Sequence, residues 1–194
     1  KPSSAASDVY KRQLYHPSMR FAAPVRKELG VRTVFNILGP LCNPAFASHH
    51  LLGVYSAGLL DIMAQGLRSL KVKRAFVVYD DACGDEISLS GKTRIAYLNR
   101  GKIRKIVLFP HSFGKKKVFL KDIRSEDITG NARKVKEVLY GKKGPCRDVV
   151  EASAACCLFI AGKAKSLKEG VKMASECIES GRARDKSVSY THLT

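Results

Sequence analysis

The stretch His49–Asp80, HHLLGVYSAGLLDIMAQGLRSLKVKRAFVVYD, decides the fold. It opens on a strand-like run, HHLLGVYS, continues with LLDIMAQGLRSL, whose apolar residues recur at helical spacing, and closes on the buried-strand run RAFVVYD. A strand, a helix and a strand in that order imply two parallel strands, because parallel pairing needs a long crossover and a helix is the usual one. Downstream, TRIAYLNRGKIRKIVLF sets Asn99-Arg100-Gly101 between two β-prone runs and predicts a hairpin. Three helices follow: NARKVKEVLYG, DVVEASAACCLFIAG and SLKEGVKMASECIES. Gly141, Gly162 and Gly181 stand where helix stops are expected, and Ser166 with Glu169 three residues on has the spacing of a capping box. The class expected is α/β, with a mainly parallel central sheet flanked by helices.

Upstream, LYHPSMRFAAPVRKELGVRTVFNILGPLCNP predicts a helix through Ala23 to Leu29 ending at Gly30, and a second short one from Thr33. An ordered loop follows, since Pro40 and Pro44 lack a donor N–H and bias Gly39 and Asn43 away from helix.

Composition sets the outer bounds. A chain of 194 residues, 45% hydrophobic, is long enough to bury a sizeable core. No apolar run reaches the roughly 18 residues of a membrane span, so a cytoplasmic protein with no membrane partner is expected. The six cysteines contain no C-x-x-C pair and read as reduced core thiols, without the clustered ligands of a zinc site. The net charge of +18 attracts polyanions, but the lysines are scattered apart from Lys115, Lys116 and Lys117. A solvated lysine-rich surface therefore competes with a nucleic-acid-binding face, and nucleic acid is the less favoured partner.

The densest chemical feature is Asp80-Asp81-Ala82-Cys83-Gly84-Asp85-Glu86, directly after RAFVVYD. Carboxylates at the carboxyl end of a parallel strand stand where open α/β sheets bind ligands, and hard oxygens there suit magnesium. An ordinary acidic loop reads the same way. His16, Arg20, Arg26 and Arg32 surround the first helix; a guanidinium there matches a carboxylate bidentately, or forms a solvated face. LGPLCNP makes a rigid turn, either a pocket wall or a connecting loop. His49, His50 and His111 lack partners at metal spacing and read as surface or strand-edge residues. Neither G-x-G-x-x-G nor G-x-x-x-x-G-K-[ST] occurs, and no nucleophile–base arrangement can be assembled.

HPSMRFAAPVRKELGVRTVFNILGPLCNP resembles the signature region of the anthranilate phosphoribosyltransferases. LLGVYS, GDEISL, HSFG, GNA, GPCRDVV and AGKAKSLKEGV continue the resemblance in order through residues 14–187. It implies a fold of the nucleoside phosphorylase/phosphoribosyltransferase type, truncated here at its N-terminal side and lacking a small helical domain. It also implies transfer of a phosphoribosyl group from phosphoribosyl diphosphate to anthranilate, with Mg2+ on the leaving diphosphate. On this resemblance Arg26 meets the anthranilate carboxylate, Pro40 and His16 line the anthranilate channel, and Asp85 and Glu86 ligate the magnesium. No side-chain nucleophile is implied, and the full-length protein is expected to be a homodimer.

Departures are Cys42 where Thr is usual, and Cys83-Gly84 in place of Gly-Leu. The family's G-T-G-G-D and K-H-G-N-R segments are absent from these residues, so the chain alone is expected to be inactive. A related pyrimidine nucleoside phosphorylase is the alternative within enzymes. Ser3–Gln13, SSAASDVYKRQ, and Val188–Thr194, VSYTHLT, resemble the two strands of one sequencing-library adaptor in translation. The expected organisation is thus a disordered foreign end at 1–13, a partial α/β domain at 14–187 and a second disordered foreign end at 188–194.

Overall fold

The structure, a computed structural model, describes Phe21, Val25, Glu28, Gly30 and residues 35–42, 46–125 and 127–191. In chain order it shows α1 (Phe35–Leu41), β1 (His49–Gly53), α2 (Leu59–Ser69), β2 (Arg74–Asp80), β3 (Thr93–Asn99) and β4 (Lys102–Leu108). A 3-10 turn (Pro110–Phe113) leads to α3 (Leu120–Ile123), α4 (Ile128–Leu139), α5 (Pro145–Ile160), α6 (Leu167–Glu179) and α7 (Arg182–Thr191).

The sheet order is β1-β2-β3-β4. β1 and β2 are parallel, with His49 opposite Arg74 and Gly53 opposite Val78, as the strand–helix–strand reading requires. β2–β3 and β3–β4 are antiparallel. Among the described residues the sheet is therefore mixed rather than mainly parallel, although the α/β architecture stands. The reason is local: the 81–92 connection contains no crossover helix, so β3 returns beside β2 in the opposite direction. The predicted hairpin closes through Arg100 and Gly101 at φ of 47° and 79°, the two positive angles of a type I′ turn.

Alternation along the strands divides the core between two faces. Phe76, Val78 and Ile95 pack on Ala152, Ala155, Cys156 and Ile160 of α5. Ala75, Val77, Ala96 and Leu98 face the other way, onto Met63, Ala64 and Leu67 of α2. The result is three layers, with β2 and β3 covered on both sides and β4 left as a basic, half-exposed edge. Behind α5, Gly170 lets α6 approach closely: a Cβ on Gly170 would stand 2.9 Å from the Ala155 Cα.

Helix ends follow the sequence signals. Gly141 and Gly162 take φ of 85° and 71°, and the residues after them donate back to Glu137 and Leu158, which closes each helix C-terminus. Ser166 caps α6 by accepting from Glu169 N at 3.2 Å. The reciprocal half of the capping box is displaced by one residue, with Glu169 accepting from Lys165 N at 2.6 Å.

Three expectations need correction. LGPLC is not a loop: α1 runs through Gly39 and Pro40 to Leu41, and Cys42 N donates to Leu38 O at 3.0 Å. Proline deletes one bond of this short helix, which is offset as Ile37 and Leu41 pack on the α2-side core. The disorder expected from residue 188 does not hold for Val188 to Thr191, which continue α7; the helix opens on the good formers Arg182, Ala183 and Arg184 and carries on through these weaker ones. Among the cysteines only Cys156 is buried; Cys42 and Cys157 are exposed and the others half-buried. Phe21, Val25 and Glu28 are helical and Gly30 has φ of 63°, in keeping with a helix stop there. The segments 1–13 and 192–194 lie outside the described residues, as does Thr33.

Candidate functional site

The acidic loop is built by Asp80, the last residue of β2. Its side chain is almost fully buried, and one carboxylate oxygen accepts from Ala82 N at 2.8 Å and Cys83 N at 3.1 Å. The other accepts from Thr93 Oγ1 at 3.1 Å, and Thr93 Oγ1 accepts in turn from Ser88 N at 3.3 Å. Paired backbone bonds between Asp80 and Gly84, 2.7 and 2.9 Å, close the turn, with Gly84 at φ of 78°. A short aspartate reaching its own backbone two and three residues on is a natural turn former, and here it fixes a rigid loop at the strand's carboxyl end.

This turn separates the four carboxylates by role. Asp80 is committed to the turn. Asp81 bonds Arg94 at 3.1 Å and lies 3.5 Å from Lys92. Slight desolvation pushes its carboxyl up, but the Arg94 hydrogen bond and the charges of Arg94 and Lys92 hold it below the usual range. Burial raises the Cys83 thiol, which leaves it a poor nucleophile. Asp85 and Glu86 are exposed and make no ion pair among the described residues.

The position of Asp85 is set by Gly53, the last residue of β1, whose missing side chain makes room for the Asp85 backbone. The pair therefore stands at the carboxyl ends of both parallel strands, where α/β sheets hold ligands. Two adjacent carboxylates fit magnesium's preference for one or two protein ligands completed by waters and substrate phosphates. Among the described residues no group of three or more His, Cys, Asp or Glu could hold a metal by itself, so the pair fits a metal shared with a ligand better than a closed protein cage.

Of the other expected site residues, Pro40 is half-buried in the last turn of α1, beside Leu41, whose methyl groups would lie 3.3 and 3.6 Å from a Cβ on Gly66 of α2. Arg26 and His16 lie outside the described residues, and with them any convergence of Arg26 on the acidic pair. His50 Nε2 is 2.8 Å from Ala47 O and His49 Nδ1 is 2.8 Å from Ser48 Oγ, consistent with strand-edge roles.

Sequence reasoning missed a buried ion network. Arg147 donates to Glu151 at 2.7 Å, Gly141 O at 2.9 Å, and Ser175 and Glu179 at 2.8 Å each. Lys115 bridges Glu151 at 2.5 Å and Asp148 at 2.6 Å. Burial pushes the Glu151 carboxyl up, but hydrogen bonds from Lys115 and Arg147 win and hold it below its ordinary value. The i,i+4 spacing of Arg147 and Glu151 was the available signal. The network ties α5 and α6 to the segment after the 3-10 turn.

This three-layer α/β unit, with an acidic loop at the carboxyl ends of parallel strands, matches the α/β domain of a glycosyl transferase family over residues 8–184, and the chain belongs to that family. The match overlaps residues 8–13 of the segment expected to be foreign and ends before residue 188. The relatives are anthranilate phosphoribosyltransferases: the Petrotoga mobilis enzyme is 43% identical over 182 residues, covering 94% of this chain and 53% of the relative. The Methanobrevibacter smithii enzyme is 42% identical over 183 residues, covering 93% and 55%. The chain thus spans about half the length of the curated relatives it matches.

Solved structures agree. The Thermus thermophilus anthranilate phosphoribosyltransferase superposes with a TM-score of 0.79 at 42% identity, covering 87% of this chain and 50% of that one. The Saccharomyces cerevisiae enzyme in complex with phosphoribosyl diphosphate and Mg gives 0.78 at 31% identity, covering 88% and 49%. Among the described residues no helix is long and apolar enough to cross a membrane.

Proposed function

We propose that this chain forms the anthranilate-facing and metal–diphosphate-facing part of an anthranilate phosphoribosyltransferase. The observation that supports it most is the exposed pair Asp85–Glu86, without ion-pair partners among the described residues, held at the carboxyl ends of β1 and β2 by the Asp80 turn.

In the reaction proposed, the amine of anthranilate forms a C–N bond to the anomeric carbon of phosphoribosyl diphosphate as the C–O bond to diphosphate breaks. Diphosphate leaves with the electron pair, and the amine gives up a proton. Positive charge builds on the ribose in the transition state, so positioning and electrostatics carry the catalysis and no side-chain nucleophile is needed. Mg2+, when bound, would neutralise the leaving diphosphate. Asp85 and Glu86 would hold it, and the Asp80–Thr93 bond keeps their loop from collapsing. Arg26 would grip the anthranilate carboxylate, with Pro40 and His16 lining the approach. The full-length protein would be a cytoplasmic homodimer.

Calorimetric titration of the chain with diphosphate, with and without Mg2+, tests the reading. A saturable component of binding that appears only with Mg2+ and weakens at least about tenfold in Asp85→Asn/Glu86→Gln is expected, since each lost ligand removes a charge-assisted contact. Equal Mg2+-dependent binding by the parent and the double variant would refute the assignment of the acid pair.

A further inference from the structure

The end of the sheet that carries Asp85 and Glu86 also holds a recess, which the transferase reading leaves unused. Ser90, Gly91 and Lys92, just before β3, form one wall. Phe109, Pro110 and His111, just after β4, form the other with Lys115 and Lys117. Thr93 pairs with Leu108 across the antiparallel ladder, so both segments emerge side by side at the end of the sheet where β2 finishes. The recess has a volume of about 490 Å3, within the range of small-molecule sites.

Its chemistry is one-sided. Among the described residues three lysines and a histidine line it, and no carboxylate does. Lys115 is spent on Asp148 and Glu151 behind the wall, which leaves Lys92 and Lys117 as the outward charges. Lys92 shares Asp81 at 3.5 Å with Arg94, a solvent-exposed pairing that yields easily. Lys117 sits over the Phe119 ring at 5.9 Å, and His111 stacks on Phe109 with centroids 5.4 Å apart.

Ser90 supplies an independent observation. Its Oγ is buried and has no hydrogen-bond partner among the described residues, which leaves the hydroxyl available to a ligand. An oxyanion in the recess would meet the two ammonium groups, and a χ1 rotation at Ser90, which lines the recess, would bring its hydroxyl within reach as a further donor.

We propose that this recess binds a phosphate group without a metal, as a site separate from Asp85 and Glu86. The inference does not rest on the transferase reading, which concerns a metal-dependent site. Its test is a titration of the 194-residue chain in metal-free buffer containing chelator, followed by amide chemical shifts. The probes are inorganic phosphate, diphosphate and ribose 5-phosphate. Saturable shifts at Ser90–Lys92 and His111–Lys117 are expected.

Lys92→Gln/Lys117→Gln should weaken binding about tenfold, and Ser90→Ala by a smaller factor, because each removes a donor to an anion. Lys136→Gln/Lys163→Gln removes the same charge at exposed positions elsewhere and should leave binding unchanged, and Asp85→Asn/Glu86→Gln should not weaken it. Circular dichroism confirms that each variant is folded. Equal affinity for phosphate and ribose 5-phosphate assigns the site to the bare group, and preference for the sugar phosphate assigns it to an ester; either supports the proposal. Unsaturable binding, or equal weakening by the charge-matched pair, overturns it in favour of a diffuse field from the basic surface.

Discussion

Gly53 and Asp85 meet backbone to backbone: a Cβ on Gly53 would fall 1.8 Å from the Asp85 carbonyl oxygen. The contact locks the acidic loop onto the end of β1, so a change at a strand glycine should be felt at the candidate metal ligands. Gly53→Ala is expected to cost about 1–3 kcal/mol, as overpacking does. It should also weaken Mg2+–diphosphate binding more than an equally destabilising core change such as Leu67→Val. Urea denaturation and calorimetry on both variants make the comparison.

Asp80 predicts a second coupling. Asp80→Ala leaves the Ala82 and Cys83 amides and the Thr93 hydroxyl without their acceptor. Losing hydrogen bonds to a buried charge should destabilise the chain by about 3 kcal/mol. Hydrogen exchange at residues 82–84 should rise well before exchange in β2 itself. Unchanged protection there would show that the turn holds without its aspartate.

The Arg147–Glu151–Lys115 network predicts both a mutational and an acid signature. Glu151→Ala takes the buried carboxylate away from Arg147 and Lys115, which keep only the more exposed Glu179 and Asp148, and should cost about 3 kcal/mol, whereas Glu179→Ala, at the exposed rim, should cost far less. The folded-state pKa of Glu151 is depressed below its ordinary 4.5. Its contribution is therefore fully present above pH 4.5 and is lost as pH falls through the lower folded value. Denaturation midpoints between pH 6 and 3, roughly the range of carboxylate titration, should fall more steeply in the parent than in Glu151→Gln.

Ser166→Ala removes the side-chain acceptor of Glu169 N and should cost about 1 kcal/mol. Glu169→Gln should cost less, because its amide oxygen can still accept from Lys165 N. Thermal denaturation of the two variants measures the difference.

Local features were readable from the chain because local physics makes them. The Arg100-Gly101 turn, the glycine stops at Gly141 and Gly162, and the Ser166 cap each depend on a few neighbouring residues, and all stand in the structure. The α1 segment misled because proline's local penalty was weighed without the core contacts of Ile37 and Leu41, which only the packed state supplies. The place of the acidic loop, directly after a parallel strand, was legible, but its internal division was not. Nothing in Asp80-Asp81 says which carboxylate turns inward to Thr93 and which outward to Arg94.

By itself, then, the sequence determined the strand–helix–strand unit, the hairpin, the placement of acid side chains after a parallel strand, and the family. Periodicity, turn chemistry and motif order are properties of contiguous residues. Tertiary structure alone decided the antiparallel return of β3, the docking of Asp85 on Gly53, the ion network from Lys115 to Glu179 and the lysine-lined recess. Each joins residues far apart in the chain, and such contacts exist only once burial of the two faces of the sheet has brought those segments together.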